Sequence, residues 1–188
     1  MRRIALITFL AAFAIASTAH AALVNGSFEP VTGRFTLRAP HEGGASEIPG
    51  WRVIGVGVEW LSTEPFGFTA PNGDYVIDLA VGAGAAGGIS QSLATEPGRT
   101  YRVTFWLGSR TAAGADGSAR VEANAAGQRH AFTIRNRAAE VLWQAQAFTF
   151  IAIAPTTTLE FRCAKDARRH FAFLDGVVVE PADTPSVR

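Results

Sequence analysis

The sequence predicts an all-β protein, an antiparallel β-sandwich of the jelly-roll type, and three observations carry this prediction. Short runs in which apolar and polar residues alternate recur along the chain, as in half-buried strands. The 19 glycines and 9 prolines fall between these runs instead of collecting in a linker, as expected for turns. Helical periodicity is almost absent after residue 21, and the 167 residues that follow, 188 less 21, suit a jelly roll better than a smaller immunoglobulin-type sandwich.

Residues 1–21 have the features of a secretory signal peptide. Arg2 and Arg3 precede an apolar run over residues 4–16, and Ala19, His20 and Ala21 fit the small-residue pattern of a cleavage site. The run is shorter than the roughly 18 residues that a membrane-spanning helix needs. We therefore expect cleavage after Ala21 and a periplasmic or secreted protein without a membrane span in its mature form.

Residues 22–180 are predicted to form one β-sandwich domain, followed by a short polar tail at 181–188. The predicted strands cover residues 75–79, 101–107, 119–125, 130–136, 146–153, 157–163 and 173–180, with turn signals such as Asn72-Gly73 and Pro97-Gly98 between them. In the second of these strands Tyr101, Val103 and Phe105 alternate with polar neighbours. The same alternation places Trp106 on the opposite face of its sheet.

Charge and cysteine content exclude some classes of protein. Lys and Arg number 17 against 16 Asp and Glu, so the net charge is +1, and it falls to about −1 once the leader is removed. This balance does not favour a nucleic-acid partner. Cys163 is the single cysteine, so the chain cannot form an internal disulfide, and its apolar strand position predicts a buried thiol.

No motif in the sequence predicts a catalytic or nucleotide site. Gly82, Gly84 and Gly87 match G-x-G-x-x-G, but no crossover helix follows them, so a loop rich in glycine and alanine is the better interpretation. A nucleophile elbow is missing, and the three histidines after the leader are widely spaced. Acidic residues near Glu59 and Asp78 are more typical of turn contacts than of a glycosidase pair. We predict that the protein is not an enzyme.

A group of aromatic residues in a loop-rich region predicts a ligand-binding surface. Trp60, Phe66 and Phe68 lie around Pro65 and Gly67. Sugars stack their apolar C–H faces on such rings, and their hydroxyl groups need planar polar partners such as arginine. We therefore predict a binding site made of Trp60, Phe66, Phe68 and Arg52. Core packing remains the alternative use of any one of these rings.

An ordered set of motifs links the chain to known families. These are LVNGSFE (23–29), IPGW (48–51), VEW (58–60), PNGDYVIDL (71–79), GGISQSLAT (87–95), PGRTYRVTFWLG (97–108) and FLDGVVV (173–179). Together they resemble the secreted bacterial choice-of-anchor C family and are similar to a plant cell-wall family of unknown function. The resemblance implies a galactose-binding-like β-sandwich, a scaffold that many carbohydrate-binding modules share.

The resemblance also implies a structural Ca²⁺ where the first and last strands meet. Glu29 and Asp175 are the positions that would bind it, with backbone carbonyls near Asn25 and Gly33 completing the oxygen shell that calcium prefers. The alternative is that Glu29 caps a turn and Asp175 precedes Gly176 in a bend. Two carboxylates alone do not decide between these interpretations.

The sequence thus favours a secreted, non-catalytic carbohydrate-binding module whose partner is a polysaccharide of the cell envelope or the environment. A structural or protein-interaction module of the cell surface, with the same fold and no sugar site, is the alternative.

Overall fold

A computed structural model describes residues 22–41, 47–81, 87–110, 117–164 and 170–182. The predicted signal peptide, the loop containing Gly82 and Gly84, and residues 183–188 of the predicted tail lie outside these ranges. The described residues form eleven strands, arranged as two antiparallel sheets that pack face to face. The predicted all-β sandwich is therefore confirmed. None of the helical structure in these ranges is long and apolar enough to cross a bilayer.

The two sheets take their strands from along the whole chain. The strands are β1 (Leu37–Arg38), β2 (Arg52–Gly55), β3 (Glu59–Ser62), β4 (Tyr75–Asp78), β5 (Gly87–Ala94), β6 (Thr100–Ser109), β7 (Gly117–Ala125), β8 (Gln128–Asn136), β9 (Leu142–Ile151), β10 (Thr156–Cys163) and β11 (Phe173–Pro181). One sheet has six strands in the order β1-β3-β4-β11-β6-β9, and the other has five in the order β2-β5-β10-β7-β8. Among the described residues there is one 3₁₀ turn, Glu64–Phe66, which follows β3.

The core lies between the sheets and is rich in aromatic residues. Strand alternation sends Tyr101, Val103 and Phe105 of β6 inward, where each is almost fully buried. From the facing sheet, Phe161 packs edge-on against Phe105 with ring centroids 5.0 Å apart. Cys163 is also buried in this core, as its strand position predicts. Each large apolar side chain buried in this way contributes about 1.5–3 kcal/mol to folding.

The six-stranded sheet also has a covered outer face, meaning the face turned away from the five-stranded sheet. Residues that alternate with core residues on β3, β4 and β11, namely Leu61, Val76 and Phe173, form a second buried cluster there. The chain between β3 and β4 folds over this cluster, and its Phe66 and Phe68 pack against it. The candidate functional site described below lies along this cover.

Side-chain amides fasten two peripheral parts of the chain. Gln91 accepts a hydrogen bond from the N–H of Val24 and donates one to the carbonyl of the same residue, at 2.7 and 2.9 Å. Gln128 does the same for Ile151, at 3.2 and 2.9 Å, and so joins the start of β8 to the end of the edge strand β9. Each pair satisfies two backbone groups that strand pairing leaves open.

Candidate functional site

A cleft opens on the outer face between the β3–β4 connection and the start of β9. Its volume is about 400 Å³, within the range of small-molecule sites. Segments 66–69 and 139–141 form its two sides, and Arg110 and Trp143 complete the lining. These residues are called the aromatic cleft below. A second cavity of about 370 Å³ shares Gly67, Phe68 and Thr69 with the aromatic cleft and is also lined by Glu64 and Asp74.

Trp143 lies flat against the outer face because a glycine on the neighbouring strand leaves space for its ring. It pairs in register with Gly108 of β6, and a Cβ atom at that glycine would lie 2.6 Å from the indole ring. The indole therefore occupies the space directly above Gly108. Its Nε1 donates a 3.0 Å hydrogen bond to the carbonyl of Thr69, which ties the ring to the other side of the cleft.

Arg110, which follows β6, supplies a positive charge surrounded by aromatic rings. Its guanidinium lies 4.6 Å from the ring centre of Phe171 and 5.5 Å from that of Phe68, distances typical of cation–π contacts. One Nη1–H donates a 3.3 Å hydrogen bond to the carbonyl of Phe66. Glu140 is the other charged residue in the described lining, so the two formal charges in the cleft are opposite.

The structure brings together part of the predicted binding site. Phe66 and Phe68 line the aromatic cleft. Trp60 does not: it is 1% exposed in the core, where its Nε1 donates a 2.7 Å hydrogen bond to the carbonyl of Phe28. Its predicted role on the binding surface is wrong, because strand β3 turns the ring inward against Phe35.

Arg52 also lies away from the cleft. It belongs to β2, in the five-stranded sheet, whereas the cleft lies on the outer face of the other sheet. The charged side chains that line the cleft are instead Arg110 and Glu140. Sequence reasoning missed both residues and Trp143, and the pairing of Trp143 with a glycine in a distant strand is visible only once the register is known.

Glu29 and Asp175, the predicted calcium ligands, do come close together. Glu29 Oε1 accepts hydrogen bonds from the N–H groups of Asp74 and Tyr75, both at 2.9 Å. Asp175 Oδ2 accepts a 2.7 Å hydrogen bond from the N–H of Asn72. The pKa of Asp175 is raised to about 7, mainly by burial; the charge of Glu29 contributes to the rise, and the hydrogen bonds from the N–H groups of Asn72 and Gly176 oppose it.

These contacts fit the capping of a turn better than a calcium site. Both carboxylates face N–H donors of the segment before β4, whereas Ca²⁺ takes six to eight oxygen ligands. No group of three or more His, Cys, Asp or Glu residues that could hold a metal occurs among the described residues. Metal binding by Glu29 and Asp175 stays a prediction.

Asp78 is a second buried acid near the covered face. Its Oδ1 accepts hydrogen bonds from the N–H groups of Ala80 and Ala172, at 3.0 and 2.9 Å. Its pKa is raised to about 7, mainly by burial; the charge of Glu59 contributes to the rise, whereas these two hydrogen bonds and the charge of Arg110 oppose it. The carboxyl group is fully buried and does not line the aromatic cleft. Asp78 is therefore a structural acid rather than a group that a ligand reaches.

The family of the chain follows from its sequence. A family model described as "Protein of unknown function (DUF642)" matches residues 21–180. The chain belongs to this family. The match includes all of residues 22–180, the predicted domain, while the finer resemblance to the choice-of-anchor C family stays a prediction. No curated protein matches the chain.

Solved structures show what the DUF642 chain is similar to in fold. TmCBM61, solved in complex with β-1,4-galactotriose, has 17% sequence identity and a TM-score of 0.53, over 71% of this chain and 90% of that one. The CBM22-1 xylan-binding domain from Paenibacillus barcinonensis Xyn10C has 17% identity and a TM-score of 0.50, over 90% and 99% of the two chains. These likenesses agree with the galactose-binding-like β-sandwich that the sequence predicts.

Proposed function

We propose that this protein is a secreted, non-catalytic module that binds carbohydrate in the aromatic cleft, and that its ligand is a polysaccharide of the cell envelope or the environment. The observation that carries the proposal is the open cleft itself. It combines the rings of Phe66, Phe68 and Trp143 with one cationic and one anionic side chain, Arg110 and Glu140.

This combination matches the two chemical faces of a sugar. Pyranose rings present C–H faces that stack on aromatic side chains, while their hydroxyl groups both donate and accept hydrogen bonds. Arg110 has donors beyond the one that binds Phe66, and the Glu140 carboxylate is an acceptor. Because the two formal charges cancel, the cleft favours a neutral glycan.

The similar folds support the same proposal. One was solved with a galactotriose and the other is titled a xylan-binding domain. Each title speaks for its own protein, and at 17% identity the likeness extends to this chain only through the fold. The aromatic cleft supplies the additional reason to assign a sugar here.

The carboxylates of the described residues support binding without turnover. Glycoside hydrolysis uses two carboxyl groups about 5–9 Å apart on either side of the bond. Glu140 is the one carboxylate in the described lining of the cleft, and both acids with raised pKa, Asp78 and Asp175, are buried elsewhere. We therefore expect retention of a polysaccharide without the release of reducing ends.

Affinity electrophoresis against neutral and acidic polysaccharides, paired with a reducing-sugar assay, tests this proposal. Trp143→Ala and Arg110→Gln should each weaken retention at least tenfold, a change of about 1.4 kcal/mol. Arg52→Ala is the matched control, because it removes an exposed arginine from the other sheet. Melting curves of all variants separate lost binding from lost folding. Retention on no polysaccharide contradicts the proposal, and new reducing ends contradict its non-catalytic part.

A further inference from the structure

A second tryptophan lies on the same outer face, beyond the aromatic cleft. Trp106 of β6 is 39% exposed, the most exposed tryptophan among the described residues. In register it stands opposite Ala145 of β9 on one side and Asp175 of β11 on the other. The small alanine leaves one side of the ring open, whereas the buried aspartate is covered by the segment before β4.

Trp106 and Trp143 each pack over a glycine of the neighbouring strand. Strand β11 has a register shift between Asp175 and Val178, and a Cβ atom at Gly176 would lie 3.0 Å from the Trp106 ring. Gly176 also has a φ of 57°, which most side chains disfavour. Each indole thus leans over a glycine of the next strand, Trp143 towards β6 and Trp106 towards β11, so both lean in one direction across the sheet.

The positions of the two tryptophans are near neighbours on the sheet. Trp106 pairs with Ala145, two residues beyond Trp143 on β9, so the tryptophans are diagonal neighbours on one face. Such positions lie about 7–8 Å apart in an antiparallel sheet. A ligand that extends from the aromatic cleft over Trp143 on β9 therefore meets Trp106 on the adjacent strand β6.

The exposed side chains next to Trp106 are small and carry no charge. Ala145 and Ala147 of β9 are exposed, and Val178 of β11 is 48% exposed. Asp175, directly opposite Trp106, is buried, and the first exposed charges of β6 and β11 are those of Arg102 and Glu180, which face each other across the two strands and carry opposite signs. A charged partner gains nothing from such a surface, while the C–H face of a neutral sugar fits it.

We propose that the ligand is an extended stretch of neutral polysaccharide several units long, which binds in the aromatic cleft and stacks a further unit on Trp106. The inference rests on the proposed function and deepens it, because it makes internal stretches of a polymer the ligand rather than single sugars or chain ends. Continuity with the cleft through Trp143, and the lack of charge around Trp106, are its grounds.

A length series tests the inference. The probes are oligosaccharides of one to six units prepared from the polysaccharide that is retained most strongly, with β-1,4-galactan and xylan oligomers included throughout. Calorimetric titration of the wild type should show an affinity that rises with length and then levels off once both tryptophans are covered. Trp106→Ala should lower the affinity for the longest oligomers about tenfold or more and leave the shortest unchanged.

Two further variants keep the test decisive. Ala145→Glu introduces a charge beside Trp106 without removing the ring, and it should reproduce the loss for long oligomers. Ile153→Ala removes a side chain that is 74% exposed beyond the end of β9, and it should bind like the wild type at every length. Melting temperatures confirm that each variant is folded.

The outcomes separate this inference from the function on which it rests. If long and short oligomers bind equally well to the wild type, or if Trp106→Ala and Ala145→Glu leave the length dependence intact, the inference is overturned while glycan binding in the cleft stands. An equal loss for all lengths also overturns it, because Trp106 would then act at a single site. Binding of no glycan at all removes the proposed function itself, and the inference with it.

Discussion

The two faces of the six-stranded sheet both carry tryptophan, and they use it in opposite ways. On the inner face Trp60 is 1% exposed and its N–H group is bound to a backbone carbonyl. On the outer face Trp106 is 39% exposed and lies over a glycine. The difference shows that the fate of a ring in this sandwich depends on what covers its strand and on the residue beside it, rather than on the residue type.

The inner-face and outer-face rings therefore contribute differently to the free energy of folding. A ring enclosed by both sheets has nearly all its apolar surface removed from water on folding, and this burial stabilises the folded state. A ring that rests on one sheet leaves part of its apolar surface exposed, where a partner can bind. Inner-face substitutions should therefore act on unfolding, and outer-face substitutions on binding.

The largest expected effect is that of Trp60→Ala. Removal of this ring should lower the free energy of unfolding by about 3–5 kcal/mol, because it leaves a core cavity and an unpaired carbonyl at Phe28. Trp106→Ala should change it by about 1 kcal/mol or less. Urea unfolding of both variants measures the contrast, and Trp60→Phe serves if Trp60→Ala does not fold. Similar losses for Trp60→Ala and Trp106→Ala would show that the two faces are not distinct.

The next effect, on the order of a few kcal/mol, concerns pH. The folded pKa of Asp78, about 7, exceeds its ordinary value of 3.8, so the folded state binds the proton more tightly. Stability should therefore be highest below about pH 4 as far as this group is concerned, and fall as the pH rises towards 7. Asp78→Asn keeps an oxygen for the N–H groups of Ala80 and Ala172 and removes the charge.

We expect unfolding free energies of Asp78→Asn, measured in urea from pH 4 to pH 8, to fall less steeply than those of the wild type. Asp175 has a pKa raised in the same direction and accounts for the slope that remains. An unchanged slope in Asp78→Asn would mean that burial does not hold the proton on this acid.

The smallest effect decides between the two interpretations of Glu29. If its carboxylate caps the turn before β4, Glu29→Gln should cost about 1 kcal/mol, because a neutral oxygen accepts more weakly from Asp74 and Tyr75. The loss should be the same with Ca²⁺ and with a chelator. A melting temperature that rises with Ca²⁺ in the wild type, but not in Glu29→Gln or Asp175→Asn, would instead support the metal site.

The sequence predicted the faces of long strands well and those of short ones poorly. Ten residues of alternation in β6 placed Trp106 opposite Phe105 correctly. Strand β3 has four residues and stands close to glycines and a proline, so Trp60 was assigned to a loop surface although it faces the core. The loop aromatics Phe66 and Phe68 were recognised from their neighbours alone.

The sequence alone could not show which residues, distant in the chain, come together in the cleft. Trp143 depends on Gly108, and Arg110 depends on rings of the β3–β4 connection and the segment before β11. These contacts join residues that are far apart in the chain, through a strand register that alternation does not fix. The residue types therefore indicated that aromatic and charged side chains would form the site, and the strand topology decides which of these residues line it.

Gln128 bears on how the molecule behaves in a crowded solution. Strand β9 is an edge of its sheet, and Ile151 and Ile153 near its end are strongly exposed. An open edge with apolar residues is a template on which a second chain adds as a further strand, the first step of aggregation. By occupying both backbone groups of Ile151, the Gln128 amide blocks that end of the edge. One neutral side chain thus removes the last residue of β9 from the part of the edge that another chain could pair with.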